Sequence, residues 1–322
     1  ALPICNARAT VSRSDAGTLL IDVPAAGAGA GTLMGATFSV AWFSAIVPAT
    51  FSMLGSGGAA SVLFLLPFWA AGCQGPAEAE LPPVLTVLSY NIHHGEGTDG
   101  VFDLERLAAI VRDSGADLVA LQEVDVGTRR ADGVDQAQEL ARLTGMEVAF
   151  GEAIPFSGGS YGDAVLSRWP LLAEEAHLLP ALPEHERRVA VSVTVQPPGW
   201  DGPLRFVGTH LDHTRDPSDR VAQAEALNAL LLPEEVPTVL AGDLNAAPGS
   251  APMRVLRKAG WHEADAAHLP TFPSDEPGRK IDWVLVGPDF PLLGATAQVL
   301  DEPVASDHAP LLVTLQVSGP RP

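Results

Sequence analysis

Seven short segments follow one another along the chain, and most of them close an apolar run with a residue that can ligate a cation or move a proton. They are SYNIHH (89–94), LQEVD (121–125), YGDAVLSR (161–168), GTHLDH (208–213), AGDLN (241–245), KIDWVLV (280–286) and SDHAPL (306–311). Short apolar runs of this kind read as buried strands. Polar groups that share the strand ends belong on one edge of a sheet. The pattern therefore predicts a sheet-built protein that delivers oxygen ligands and a proton-transfer group to a single edge.

Charge narrows the partners. Acidic residues number 39 against 19 Lys and Arg, giving a net charge of −20. Arg8 and Arg13 balance Asp15 and Asp22, and no further charge appears before Glu78, so the excess belongs to the remainder. A negative surface repels polyanions at long range, whereas nucleic-acid binders carry a basic face. A long DNA or RNA partner is disfavoured; a small phosphorylated substrate is not. Cys5 and Cys73 stand far apart and make neither a disulfide framework nor a thiolate metal site.

The uncharged stretch holds two apolar runs. The first, 33–54, is about the length needed to cross a bilayer, and the second, 59–73, is nearer a signal-peptide core. Ala70-Ala71-Gly72-Cys73 resembles a bacterial lipoprotein cleavage box, after which Cys73 would carry lipid. Residues 1–80 are expected to be a membrane-associated span, hairpin or lipoprotein-type signal with its linker. Core strands of a small soluble domain are the competing reading. The Pro- and Glu-containing stretch 75–83 reads as that linker, and 81–322 as the catalytic domain. The lack of nearby Lys or Arg and the acidic residues that follow lead to the expectation of an extracytoplasmic catalytic domain, whereas a hairpin would return the chain to the side of Arg8 and Arg13.

Along the rest, Asp103 is set to cap a helix whose apolar residues Leu104, Leu107, Ala108, Ile110 and Val111 share a face, with Gly115 closing it. Further helices are expected at about 136–143 and 218–231. Strands are expected at about 84–90, 117–124, 146–150, 163–168, 188–196, 204–210, 237–242, 281–286 and 309–315. Strands outnumber helices and their order is mixed. This predicts an α/β protein, a four-layer α/β/β/α sandwich of two mixed sheets.

The candidate ligands are oxygens. Asn91, Glu123 and Asp243 end strands; Asn245 follows Asp243 two residues on; Asp282 opens a strand; Asp307 and His308 precede the last one. A carboxylate at an apolar strand's end is costly to bury without a cation or donor. Carboxylate and amide oxygens suit Mg²⁺ or Mn²⁺, while zinc would favour His and Cys clusters that the sequence lacks. His210 and His308 supply groups that titrate near neutral pH. Each motif alone is more ordinarily a turn, a cap or a solvated strand end. Their coincidence in one chain points to metal-assisted cleavage of a phosphate ester.

The ordered set resembles the endonuclease/exonuclease/phosphatase superfamily, also called DNase I-like, over roughly residues 84–316. Within it the chain is most similar to bacterial metal-dependent hydrolases bearing a TRR…GVDQ stretch, here 128–136, and a TFP segment, here 271–273. The resemblance implies the same four-layer sandwich with its site at one end of the paired sheets. It implies Glu123 as principal metal ligand, with Asn91 beside it and Asp307 completing the set. Asp243 would orient or deprotonate the attacking water, and Asn245 would hold that water or a phosphate oxygen. His308, polarised by Asp282, would stabilise the pentacovalent phosphate or protonate the leaving oxygen. His210 and Tyr161 match a second histidine and a phosphate-contacting tyrosine. Asp163 departs from the pattern, since relatives carry Asn there.

Arg187 and Arg188 are the candidates for a cationic clamp on substrate. Arg220 and Gln223 read as packing or salt-bridge residues, whereas His94, Asp212 and His213 suit either a second metal or the surface. The expected activity is hydrolysis of a phosphodiester or phosphomonoester, on a phospholipid headgroup or small phosphorylated molecule. The alternative is an endo- or exonuclease on DNA or RNA. A non-catalytic, membrane-displayed binding module stands further behind.

Overall fold

A computed structural model describes residues 10–13, 19–22, 83–234 and 236–318. The apolar runs 33–54 and 59–73, and Cys73 with them, lie outside the described residues. Among those described, no helix is long and apolar enough to cross a membrane. The chain divides into two units, Ala1–Ala77 and Glu78–Pro322, each described by itself. In the first, β1 (Thr10–Arg13) pairs antiparallel with β2 (Leu19–Asp22).

The second unit runs β3 (Val84–Asn91), α1 (Leu104–Ser114), β4 (Leu118–Val126), α2 (Gln136–Thr144), β5 (Glu147–Phe156), β6 (Gly159–Ser167), β7 (Ala173–Leu178) and β8 (Val189–Val195). It continues with β9 (Leu204–His210), α3 (Ser218–Leu231), β10 (Thr238–Asp243), α4 (Ala251–Lys258), β11 (His262–Glu263), β12 (Asp282–Val286), β13 (Leu292–Val299) and β14 (Leu311–Val317). Two six-stranded sheets result, ordered β13-β14-β3-β4-β6-β5 and β11-β12-β10-β9-β8-β7. β3–β4 and β9–β10 are parallel, and the other pairs antiparallel.

Period-2 alternation builds the layers. Leu85, Val87, Leu118 and Ala120 of the first sheet meet Phe206, Val239, Ala241 and Val284 of the second in one buried cluster. Leu88, Val119 and Leu121, on the opposite face, pack against Leu107, Val111 and Leu140 of α1 and α2. Val207, Leu240 and Leu285 do the same with Leu227, Leu231, Met253 and Leu256 of α3 and α4. The four-layer α/β/β/α sandwich is thus observed. Each of these buried Leu or Val side chains contributes roughly 1.5–3 kcal/mol relative to exposure.

The helix signals are seen in place. Asp103 Oδ1 accepts from Arg106 N at 2.9 Å, and Gly115 closes α1 in the left-handed region at φ 67°. α2 repeats the device with Asp135 and Gly145. Besides β1 and β2, four elements of the second unit are not expected from sequence: β7, β11, β13 and α4. β7 reads AEEAHL, a polar edge strand without an apolar face to reveal it. β13 is built largely of small and polar residues, β11 is only two residues long, and α4 is a short helix with Pro at its start.

Gly242 stands opposite Thr209 in the parallel β9–β10 pair, one residue before Asp243 and His210 face each other. A Cβ there would lie 1.8 Å from the Thr209 carbonyl oxygen. Gly242→Ala is expected to destabilise the fold by about 3 kcal/mol, because backbone rather than a mobile side chain must move. Denaturant unfolding checks this; an unchanged midpoint would contradict it.

Candidate active site

The alternation that builds the core also builds the site. In β3 the residues facing the second sheet are Leu85, Val87, Ser89 and then Asn91. In β9 the same face ends on His210, in β10 on Asp243, and in β12 it begins with Asp282. Asp243 is register partner of both His210 and Asp282. The carboxyl ends of the parallel strands and the amino end of their antiparallel neighbour therefore meet at one mouth of the inter-sheet layer.

Glu123 reaches this mouth by a different route. Strict alternation would turn it towards the helices, with Gln122 facing inward. The β4–β6 register slips between Leu121 and Val124, and Glu123 sits at φ 60°. That bulge swings its carboxylate back towards Asn91. Asn245 is likewise placed by its φ of 47°, not by strand spacing, since β10 ends at Asp243.

Contacts converge on one carboxylate oxygen. Asp243 Oδ2 lies 3.4 Å from Asn91 Nδ2, 3.4 Å from His210 Nε2 and 3.6 Å from His308 Nε2. Its Oδ1 accepts from Asn245 N at 2.9 Å. Asn91 Nδ2 also donates to Glu123 Oε1 at 3.0 Å, so one amide joins both carboxylates. His308 Nδ1 lies 2.9 Å from Asp282 Oδ2, which also accepts from the Thr271 hydroxyl. Ser306 Oγ donates to Asn91 O at 2.7 Å and ties the final loop to β3.

Burial and charge set the protonation states. Burial raises the Asp243 carboxyl, with the Asp282 charge adding to it, to about 7. Burial would lower His308, but Asp282 and Asp243 outweigh it and lift the imidazole to about 10. His308 is therefore an imidazolium at neutral pH. His210 is pushed well below its ordinary value by burial and by the Arg188 charge. Arg188 Nη1 lies 3.2 Å from His210 Nδ1, and a guanidinium only donates. Asn245 Nδ2, also a donor, lies 3.0 Å from His210 Nε2, so neutral His210 can accept from only one of these two neighbours.

The donor set fits a hard divalent cation. Glu123, Asp243 and Asp282 converge with His308 as the one imidazolium among them, and Asp282 Oδ1 is buried with no partner among the described residues. Asp243 and Asp282 each place a carboxylate oxygen within 4.8 Å of the other and of His308, whose imidazolium offers charge rather than a lone pair. Oxygen-rich surroundings of this kind suit Mg²⁺-class ions.

The other expected residues divide. Asn91, Glu123, His210, Asp243, Asn245, Asp282 and His308 come together. Asp307 is adjacent in sequence to His308 but half-buried, and its carboxylate makes only a 3.5 Å contact with Ser306 Oγ. Tyr161 lies beside the Arg188 guanidinium. Arg188 is buried, 3.0 Å from Glu186 and from His213, whereas Arg187 is exposed. Arg220 and Gln223 brace the turn after β9, as expected: Arg220 donates to the Asp212 and Thr214 carbonyls, and Gln223 accepts from Asp212 N.

Two stretches carry more than the sequence reading gave them. In 128–136, Arg130 makes a bidentate pair with Asp125 at 2.6 and 2.9 Å and lies 4.5 Å from the Phe156 ring. Gln136 accepts from Asp125 N and donates to His94 O, locking SYNIHH to LQEVD. In 271–273, Thr271 holds Asp282 and Phe272 packs its ring 4.8 Å from His308. In the sequence these residues are signs of a subgroup only; long-range pairing gives them their roles.

Asp163 lies on the inter-sheet face of β6 beneath this cluster. Burial pushes its carboxyl up to about 8, with the Arg188 charge opposing. A carboxyl that binds its proton more tightly when folded contributes stability below its unfolded value of about 4, and loses it as pH rises through the folded value. In chelator, the melting temperature of the wild type is expected to fall over that window, and Asp163→Asn to flatten the fall. Equal slopes in the two proteins would contradict the assignment.

Residues 88–308 match the model of the Endonuclease/Exonuclease/phosphatase family. The uncharacterized protein YbhP of Escherichia coli is 27% identical over 243 residues, covering 70% of this chain and 93% of YbhP. A structure of an endonuclease/exonuclease/phosphatase from Beutenbergia cavernae superposes with a TM-score of 0.59 at 26% identity, over 73% of this chain and 72% of that one. A mannosyl-6-phosphatase of Bacteroides thetaiotaomicron shares the fold at a TM-score of 0.57 and 19% identity, over 72% of this chain and 99% of its own. The chain belongs to the endonuclease/exonuclease/phosphatase, or DNase I-like, family of hydrolases acting on phosphoester bonds.

Proposed function

We propose that the protein is a divalent-metal-dependent phosphoesterase acting on a small or lipid-borne phosphoester, with Mg²⁺ or Mn²⁺ as its ion. The observation that carries this reading is the convergence of Asn91, His210 and His308 on Asp243 Oδ2, with Glu123 joined through Asn91. Glu123 and Asn91 are the residues to hold the ion, with Asp307 added to the set by the resemblance alone. A bound divalent ion supplies positive charge to a phosphoryl oxygen.

The remaining steps belong to side chains. Asp243 has a carboxyl value near neutrality, so its ionised form can orient a water for in-line attack and accept its proton. Asn245 holds the same water or a phosphate oxygen. His308, kept cationic by Asp282, faces the developing negative charge and can give its Nε2 proton to the leaving oxygen. His210 is a neutral imidazole beside them. Tyr161 of the first sheet and Arg188, immediately before β8 of the second, back the phosphate, and exposed Arg187 is left to the approach.

Substrate class follows from charge and context. A net charge of −20 opposes a long polyanion. A relative of the same fold is named as a mannosyl-6-phosphatase, which supports a small phosphoester. The uncharged runs 33–54 and 59–73 support attachment to a membrane with the hydrolase outside the cytoplasm, where lipid headgroups are within reach.

The test is hydrolysis by the chelator-stripped protein with Mg²⁺ or Mn²⁺ returned. The substrates are bis-p-nitrophenyl phosphate, inositol phosphates, sphingomyelin, plasmid DNA and single-stranded RNA. Turnover confined to the small and lipid esters is expected, with Glu123→Ala and His308→Ala each lowering kcat/KM by roughly 100- to 1,000-fold. Preferred cleavage of DNA or RNA would overturn the substrate reading. Metal-independent turnover, or none at all in the folded protein, would overturn the activity.

A further inference from the structure

A second group of ligand-type side chains gathers apart from Asp243. His185 lies on the 179–188 connection between β7 and β8, Asp212 directly follows β9, and Asp219 sits in the first turn of α3. One ligand atom from each lies within 4.8 Å of the other two. Asp212 and Asp219 are buried and His185 is half-buried. Residues from three separate elements meet here, which is why spacing in the sequence does not announce the group.

The hydrogen bonds leave one gap. Asp219 Oδ1 accepts from Leu182 N at 2.8 Å, and its Oδ2 meets His185 Nδ1. Asp212 Oδ1 accepts from Thr214 N at 2.8 Å and from the Thr214 hydroxyl. Asp212 Oδ2 is fully buried and has no partner among the described residues. The neighbouring cation does not fill the gap. Arg220 Nη1 stands 3.8 Å from Oδ1, and its hydrogens go to the Asp212 and Thr214 carbonyls at 2.8 and 2.6 Å. A buried carboxylate oxygen without a donor is costly, and a metal ion is the group that satisfies such an atom beside an imidazole and a second carboxylate.

The geometry points to a second cation site, in which His185, Asp212 and Asp219 hold a Zn²⁺ ion that pins the 179–188 connection to α3 and to the exit of β9. One imidazole nitrogen and two carboxylate oxygens suit this borderline ion better than Mg²⁺, and three protein ligands leave a position for water. Binding displaces the proton shared by His185 and Asp219. The site has no residue in common with the Asn91–Glu123–Asp243 centre. It acts on that centre through position: the same connection carries Glu186 and Arg188, and Arg188 reaches His210 and His213 at 3.2 and 3.0 Å.

The test is zinc content and melting temperature of the full chain, stripped with chelator and then titrated with Zn²⁺. Wild type and Glu123→Gln are each expected to bind one equivalent more than His185→Ala or the isosteric Asp212→Asn. Zn²⁺ is expected to raise the melting temperature of the first two by roughly 4 °C relative to the other two. Equal zinc content in wild type, His185→Ala and Asp212→Asn would overturn the site. So would a loss confined to Glu123→Gln, which would assign the ion to the catalytic centre.

Discussion

The carboxylate of Asp243 is the group on which the rest of this structure depends. It is buried among Asn91, His210, Asn245 and His308, with the Asp282 charge nearby. Burying one carboxylate near another is unfavourable unless positive charge and donors compensate. Three of the elements that reach the mouth of the inter-sheet layer bring that compensation. β3 brings an amide, β9 an imidazole, and the loop before β14 an imidazolium. The fold can be understood as the arrangement that lets the ends of β3, β9 and β10, the start of β12, the bulge in β4 and the loop before β14 meet around one acid.

This arrangement explains why both sheets are mixed. Parallel pairing of β3 with β4 and of β9 with β10 sets carboxyl ends side by side, while antiparallel β12 brings the start of its strand to the same edge. Gly242 allows β10 to press against Thr209 at that point, and the bulge at Glu123 turns one further carboxylate inward. The outer contacts hold the loops. Arg130 and Gln136 fix the chain after β4, Thr271 and Phe272 fix Asp282 and His308, and Ser306 ties the last loop to Asn91.

Much of this was legible before the fold was seen. Apolar runs closing on Asn91, His210 and Asp243 announced strands with a shared polar edge, because alternation and burial are local properties that a sequence displays. Asp103, Gly115 and the apolar face of α1 were equally plain. Glu123 is expected from sequence at the end of its strand, but β4 runs on to Val126, and it is a bulge inside the strand that aims the carboxylate. Asn245 was expected on the right side, yet a left-handed turn puts it there. Residues whose roles come from distant pairing stayed hidden, among them Arg130, Thr271, Phe272 and the His185–Asp212–Asp219 group. Arg188 and Arg187 looked alike as neighbours in sequence; only packing separates a buried guanidinium from an exposed one.

The central claim is that the Asp243 cluster is completed by a divalent ion held by Glu123 and its neighbours. Calorimetric titration of Mg²⁺ into the chelator-stripped protein, below and above the Asp243 value of about 7, tests it most directly. The account predicts saturable binding that strengthens at the higher pH, as Asp243 loses its proton, and that disappears in Glu123→Gln. Absence of binding in the wild type, or binding that Glu123→Gln leaves unchanged, would contradict it.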